Sequence, residues 1–130
     1  MALRVQVVTP EREVVVAEEA TMVIAKGLEG DLGVLSGRAP ALIALGLGPL
    51  VIESGDRREE ILLDGGFMTV KDDNVIVLAE YAVLPSELEA TEVSAEVEAL
   101  KQRLQQAQDD EALKRELARA EAKRRLLHVG

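Results

Sequence analysis

Two carboxylates on a glycine-rich stretch, Glu29-Gly30-Asp31-Leu32-Gly33, are the first residues whose type and spacing suggest chemistry. They could meet a cation or the polar loop of a partner. A calcium loop, however, needs six or more oxygen ligands at fixed positions, and this stretch has neither that density nor that spacing. A turn or protein contact is the expectation. Gly65-Gly66-Phe67 completes no phosphate-cradling pattern, neither Gly-x-x-x-x-Gly-Lys-Ser/Thr nor Gly-x-Gly-x-x-Gly, so its glycines are expected to serve a bulge or a close approach of backbone. His128, the one histidine, lies among the final residues, where fraying is usual. Ser36, Ser54, Ser86 and Ser94 have no visible base and no nucleophile-elbow sequence around them. Cysteine is absent, which removes disulfides, thiol nucleophiles and cysteine-bound metals. With no constellation of base, nucleophile or metal ligands, the chain is expected not to be an enzyme and to hold no metal.

A basic group completes the candidates. Lys114, Arg115, Arg119, Lys123, Arg124 and Arg125 stand against only Glu116 and Glu121 in residues 114–125. Such spacing fits a solvated helix face, but the cluster is segregated by sign within an acidic protein, which equally fits a partner's acidic surface. Residues 1–90 hold 16 acids and 7 bases, net −9, while residues 91–130 hold 8 of each, net zero. A net charge of −9 has the wrong sign for a nucleic-acid backbone. Phe67 and Tyr81 are the only aromatics, too few for a platform on which bases stack.

The elements that must position these residues change character near Pro85. The chain of 130 residues has room for one compact domain or a small domain with an appendage. Its longest apolar run, Ala39 to Ile52, is interrupted by Pro40, Gly46, Gly48 and Pro49 and falls short of the ~20 residues of a membrane helix. The opening residues carry no secretion or transit pattern and read as mature protein. Before Pro85, β-branched residues alternate between closely spaced turns. Leu3, Val5 and Val7 share one face; Val14-Val15-Val16 and Met22-Val23-Ile24 follow, and a loop is expected from Lys26 to Gly33. Further strands are expected at Val34-Leu35, Ala41 to Leu45, Leu50-Val51-Ile52, Glu60 to Leu63, Phe67 to Val70 and Val75 to Leu78. Gly65-Gly66 is expected to break the chain. This is an all-β sandwich or barrel.

Beyond Pro85 the period becomes helical. Val93, Val97, Leu100, Leu104 and Ala107 line one face. Gln108-Asp109-Asp110 offers an N-cap carboxylate and an acidic first turn, after which Leu113, Leu117, Ala120 and Leu127 continue the spacing, interrupted by Arg124. Two helices joined by a few residues run antiparallel. Nine large aliphatics in residues 91–130, Val129 among them, are few for that length, so the hairpin is expected to lean on another surface.

This succession resembles the epsilon subunit of the F-type ATP synthase. The resemblance is carried by Val5-Gln6-Val7-Val8-Thr9-Pro10, by the run from Gly30 to Pro40 (Gly-Asp-Leu-Gly-Val-Leu-Ser-Gly-Arg-Ala-Pro), by Leu45-Gly46-Leu47-Gly48, and by Gly65-Gly66-Phe67 with Val75-Ile76-Val77-Leu78. It spans essentially the whole chain. Arg38 departs from the family pattern, which has histidine there.

The resemblance implies a β-sandwich of about ten strands over residues 1–85, contacting gamma and the c ring, and a regulatory antiparallel two-helix hairpin over residues 86–130. It implies a non-catalytic rotor subunit that couples gamma to the ring of c subunits and restrains ATP hydrolysis. Glu29, Gly30, Asp31 and Arg38 would face the c ring. Lys114, Arg115, Arg119, Lys123, Arg124 and Arg125 would meet a catalytic beta subunit when the helices extend. The implied location is peripheral, at the cytoplasmic face of a bacterial inner membrane or the stromal face of a thylakoid, with the membrane met only through the complex. Some relatives bind ATP through a motif like Ile-Asp-x-x-Arg-Ala. Here Leu88, Glu89, Glu92 and Val93 fall on it, and Glu92 puts a carboxylate where an arginine would neutralise phosphate, so no cofactor is expected. The competing reading is a free-standing nucleotide sensor or adaptor whose hairpin closes on a ligand.

Overall fold

A computed structural model describes residues 2–129, and of Val129 only the backbone, so that residue's expected burial lies outside the described side chains. The chain divides into two units, Met1–Val83 and Leu84–Gly130.

The first unit has eight strands: β1 Leu3–Val8, β2 Glu13–Ala20, β3 Met22–Gly27, β4 Gly30–Leu35, β5 Ala41–Ser54, β6 Arg57–Lys71, β7 Asn74–Ala79 and β8 Ala82–Val83. They join in the order β2-β1-β7-β6-β5-β3-β4, with β8 beside β6. The pair β1–β7 is parallel. Alternation decides which face is buried. Leu3, Val5 and Val7 of β1, Val75, Val77 and Ala79 of β7, and Met68 and Val70 of β6 all point into the core. Val23, Leu50, Ile52, Ile61 and Leu62 are also fully buried.

Eight strands stand where about ten are implied, because two pairs of expected strands are continuous. β5 runs through Gly46, Gly48 and Pro49, and β6 runs through Gly65-Gly66 instead of breaking there. Both are bent. The β3–β5 register jumps from Ile24↔Val51 to Gly27↔Leu45, and Pro49, which has no N–H to give a ladder, lies in that gap. β6 changes partner at its glycines: Leu62 and Leu63 pair with β8, whereas residues 66–71 pair with β7. Gly66 has φ +120, and a Cβ there would strike the Leu78 carbonyl oxygen and stand 2.8 Å from Ala79 Cα. Only glycine suits both demands. The bent strands carry the sheet back over itself, so that β2 and β5 touch although four places apart in the order. The result is a β-sandwich.

The second unit opens with a short 3₁₀ turn, Pro85–Glu87, and continues as α1 Ala90–Gln106 and α2 Glu111–Val129. α1 ends where the Ala107 N–H donates to the Leu104 carbonyl at 3.1 Å. Of the expected capping stretch Gln108-Asp109-Asp110, it is Asp110 that caps α2, its Oδ1 accepting from the Leu113 N–H at 3.1 Å. Val97, Leu100, Leu113 and Ala120 form the core of this unit, with Leu104 and Leu117 packed against it. One expectation fails. Leu126 is buried and Leu127 only half-buried, because Ala122 and Leu126, one turn apart, form a second buried stripe on the side of α2 opposite Leu113 and Leu117. No helix among the described residues is long and apolar enough to cross a membrane.

Candidate functional site

The stretch from Lys26 to Gly33 is a hairpin, where a loop was expected. β3 and β4 run through it, and only Leu28 and Glu29 lie outside their ladder, between the paired Gly27 and Gly30. Asp31 stands opposite Lys26, and their charged atoms are 3.0 Å apart with both side chains largely exposed. The Leu28 N–H donates to the Ala44 carbonyl of β5 at 2.9 Å, which fastens the turn to the sheet. After β4 the chain reverses at residues 36–37, where the Arg38 N–H donates to the Leu35 carbonyl at 3.3 Å.

These turns bring four of the sequence candidates together. Glu29, Gly30, Asp31 and Arg38 line one hollow of about 310 Å³. Leu28 and Leu42, which also line it, are 71% and 70% exposed. Charges of both signs between two bare leucines suit a protein loop that offers polar backbone and a little apolar surface. Among the described residues there is no group of three or more His, Cys, Asp or Glu that could hold a metal ion.

A second surface escaped the sequence reading. On the outer face of β5, β6, β7, β1 and β2, the register aligns Ala44, Phe67, Leu78 and Val8 in one row and Leu42, Thr69, Ile76, Gln6 and Val16 in the next. Phe67 is 53% exposed and Leu78 54%. Both line a groove of about 590 Å³ with Val8, Pro10 and Gly66. The signal was present, since Ile76 and Leu78 hold the polar positions of an alternating strand. An exposed apolar face of this kind is a candidate interaction surface.

In the helical unit the six bases do not share one face. Residues on a helix turn by 100° each, so Arg115, Arg119 and Lys123 follow one stripe, Lys114 and Arg125 another, and Arg124 a third. Lys114 pairs with Glu111 at 3.3 Å on its own helix. Lys123 reaches across to Glu96 of α1, also at 3.3 Å. Arg115 and Arg125 are exposed.

The degenerate nucleotide motif has structural work of its own. Glu89 is the N-cap of α1: its carboxylate accepts from the Glu92 N–H at 2.9 Å and the Thr91 N–H at 3.2 Å. Those two bonds, Glu92's first, hold the Glu89 carboxyl below its ordinary range. Leu88 closes the 3₁₀ turn, Val93 is buried, and Glu92 points to solvent.

Residues 2–85 match the family model described as the ATP synthase, delta/epsilon chain, β-sandwich domain. Among relatives, the ATP synthase epsilon chain of Brevibacillus brevis is 40% identical over 103 residues, 78% of this chain and 77% of that one. The epsilon chain of Solibacter usitatus is 41% identical over 96 residues, 74% and 71% of the two chains. That of Propionigenium modestum, described as sodium ion specific, is 31% identical over 107 residues, 82% and 77%. Among solved structures, a chain of the Euglena gracilis mitochondrial ATP synthase, in an assembly of OSCP, F1 and c ring, shares the fold with a TM-score of 0.78. It is 22% identical, and the match covers 98% of this chain and 80% of that one.

Proposed function

The chain belongs to the ATP synthase delta/epsilon chain family, and on that footing we propose that it is a non-catalytic rotor subunit. Its sandwich is carried by gamma and bears on the c ring, and its helices restrain ATP hydrolysis by extending toward a catalytic beta subunit. The observation behind this reading is the convergence of Glu29, Gly30, Asp31 and Arg38 in one hollow between Leu28 and Leu42. That surface is built for the polar loops of the ring. The outer sheet face around Phe67 and Leu78 is the surface offered to gamma, because an apolar face left in water is unfavourable without a partner. Arg115 and Arg125, exposed on α2, are available to an acidic segment of beta.

In this reading the subunit meets the membrane only through the complex, at the cytoplasmic face in a bacterium or the stromal face in a plastid. No observation favours the nucleotide-sensing alternative: the motif's acid is committed to capping α1, and Glu92 would repel a triphosphate.

Reconstitution with the matching catalytic complex tests the proposal. Full-length chain should slow ATP hydrolysis, and a chain ending at Leu88 should bind gamma without slowing it. Equal hydrolysis with both would remove the inhibitory role, and failure to copurify with gamma would remove the rotor role.

A further inference from the structure

The segment after β4 that carries Arg38 leaves the strand ladder, yet it is held from a distant part of the chain. Asp73 sits in the two-residue turn between β6 and β7, where Asp72 and Asp73 have φ of +50 and +63. Its carboxylate accepts twice from that segment: the Gly37 N–H donates to Oδ1 at 2.8 Å, and the Ser36 hydroxyl donates to Oδ2 at 2.9 Å. Its own carbonyl accepts from the Arg4 N–H at 2.9 Å, which anchors the turn to β1. Three elements far apart in sequence thus meet at one residue, and the residue that follows the two donors is Arg38.

We infer that Asp73 is a positioning residue for the polar hollow: by clasping Ser36 and Gly37 it fixes where Arg38 stands beside Glu29 and Asp31. This deepens the reading of the hollow as the c-ring contact and rests on it. The geometry supports a clasp in two ways. Both carboxylate oxygens are engaged with adjacent residues, so the segment is fixed in orientation as well as position. A positive φ suits glycine best and tolerates asparagine as well as aspartate, so backbone preference alone does not select an acid at this place. The Gly37 N–H, and after it the Ser36 hydroxyl, hold the Asp73 carboxyl below its ordinary range, as bonds to the ionised form require.

Two substitutions separate the clasp from the turn. Asp73→Gly relieves the backbone and removes both bonds. Asp73→Asn keeps an acceptor for the Gly37 N–H and gives Ser36 a donor in place of its acceptor. In the isolated full-length chain, backbone order parameters of Gly37 and Arg38 should fall from about 0.85 toward 0.6 in Asp73→Gly and stay near the parent's in Asp73→Asn. Unchanged order in Asp73→Gly overturns the inference.

In a complex rebuilt with gamma and detergent-solubilised c ring, Asp73→Gly should weaken ring binding roughly three- to tenfold. Arg38→Ala should do the same, and the double variant should lose little more than either alone, because both changes remove one contribution. Fully additive losses would mean that Asp73 acts apart from Arg38 and would overturn the inference. If Arg38→Ala and Glu29→Ala both leave ring binding unchanged while gamma stays bound, the c-ring reading fails instead. The order parameters then judge the clasp alone.

Discussion

The Lys123 Nζ of α2 lies 3.3 Å from the Glu96 Oε1 of α1, and it joins residues 27 apart in sequence. Lys123 is only 15% exposed and Glu96 44%, so this pair is better shielded than the intrahelical Lys114–Glu111 pair. It is a charged tie between the two helices of the hairpin. Glu96→Gln should loosen it by roughly 0.5–1 kcal/mol, seen as amide exchange in α2 about two- to fivefold faster at low salt. At high salt, parent and variant should converge. Identical exchange at low salt would mean that the pair adds nothing to closure.

The bend in β6 should resist substitution more than any other glycine site on the sheet that lacks a flexible neighbour. Gly66→Ala places a Cβ against the Leu78 carbonyl and Ala79 Cα at a positive φ. The loss should be about 3 kcal/mol or more by urea unfolding. Gly33→Ala is the control, with nothing within 4 Å of the added carbon, and should stay within about 1 kcal/mol of the parent. A mild Gly66→Ala would show that β6 can straighten.

Local pattern made much of this architecture legible, and its limits have physical causes. Alternation in β1 and β7 and the apolar stripe from Val93 to Leu104 are short-range signals, and they found the buried faces of both units. Gly65-Gly66 and Gly46 to Pro49 were read as punctuation, since glycine and proline usually end strands. Here they bend two long strands whose ladders continue on the other edge. Leu126, counted among the nine large aliphatics, falls off the stripe that runs from Leu113 to Leu127, because the helix is buried along two stripes. The hollow's members were named from family likeness, but their meeting depends on β3, β4 and β5 pairing. The clasp from Asp73 to Ser36 and Gly37 has no local signature at all, because its partners lie in different turns.

Phe67 gives the outer face a direct test. It is half exposed, so Phe67→Ser should change the stability of the isolated chain little. An aromatic at the centre of an interface is commonly worth 2 kcal/mol or more, so gamma binding should weaken at least tenfold. Retained gamma binding would move the gamma contact elsewhere on the sandwich.

Acid should uncap α1. The ionised Glu89 carboxylate is favoured by the Glu92 and Thr91 N–H groups, which lower its folded pKa. Its stabilising effect is therefore fully present above the ordinary glutamate value and is lost as pH falls through the lowered one. The Glu92 amide resonance should titrate with an inflection below the ordinary glutamate range, and Glu89→Gln should abolish it. An inflection at the ordinary value would mean that the cap bonds are not formed in solution.

The basic helix is where the proposed inhibitory mechanism can be separated from the hairpin's own stability. Lys123 is bound to Glu96 in this conformation, so Lys123→Gln removes a possible contact with beta and also loosens the tie that keeps the hairpin shut. The two effects oppose each other. Neutralising all six bases together would mix them and could cancel. Arg115, Arg124 and Arg125 give the cleaner test, since no ion pair with α1 is seen for them among the described residues. Changing these three to Gln preserves helix propensity and leaves the sandwich untouched. Each exposed pair with beta is worth about 0.2–1 kcal/mol, so single changes should be almost silent. The triple change should relieve inhibition on the order of tenfold at low salt, and less as salt is added. Lys123→Gln alone should inhibit at least as strongly as the parent, because easier opening outweighs one lost contact. If the triple variant inhibits as the parent does at low salt, charge pairing is not the mechanism, and steric blockade by the extended helices is the better account.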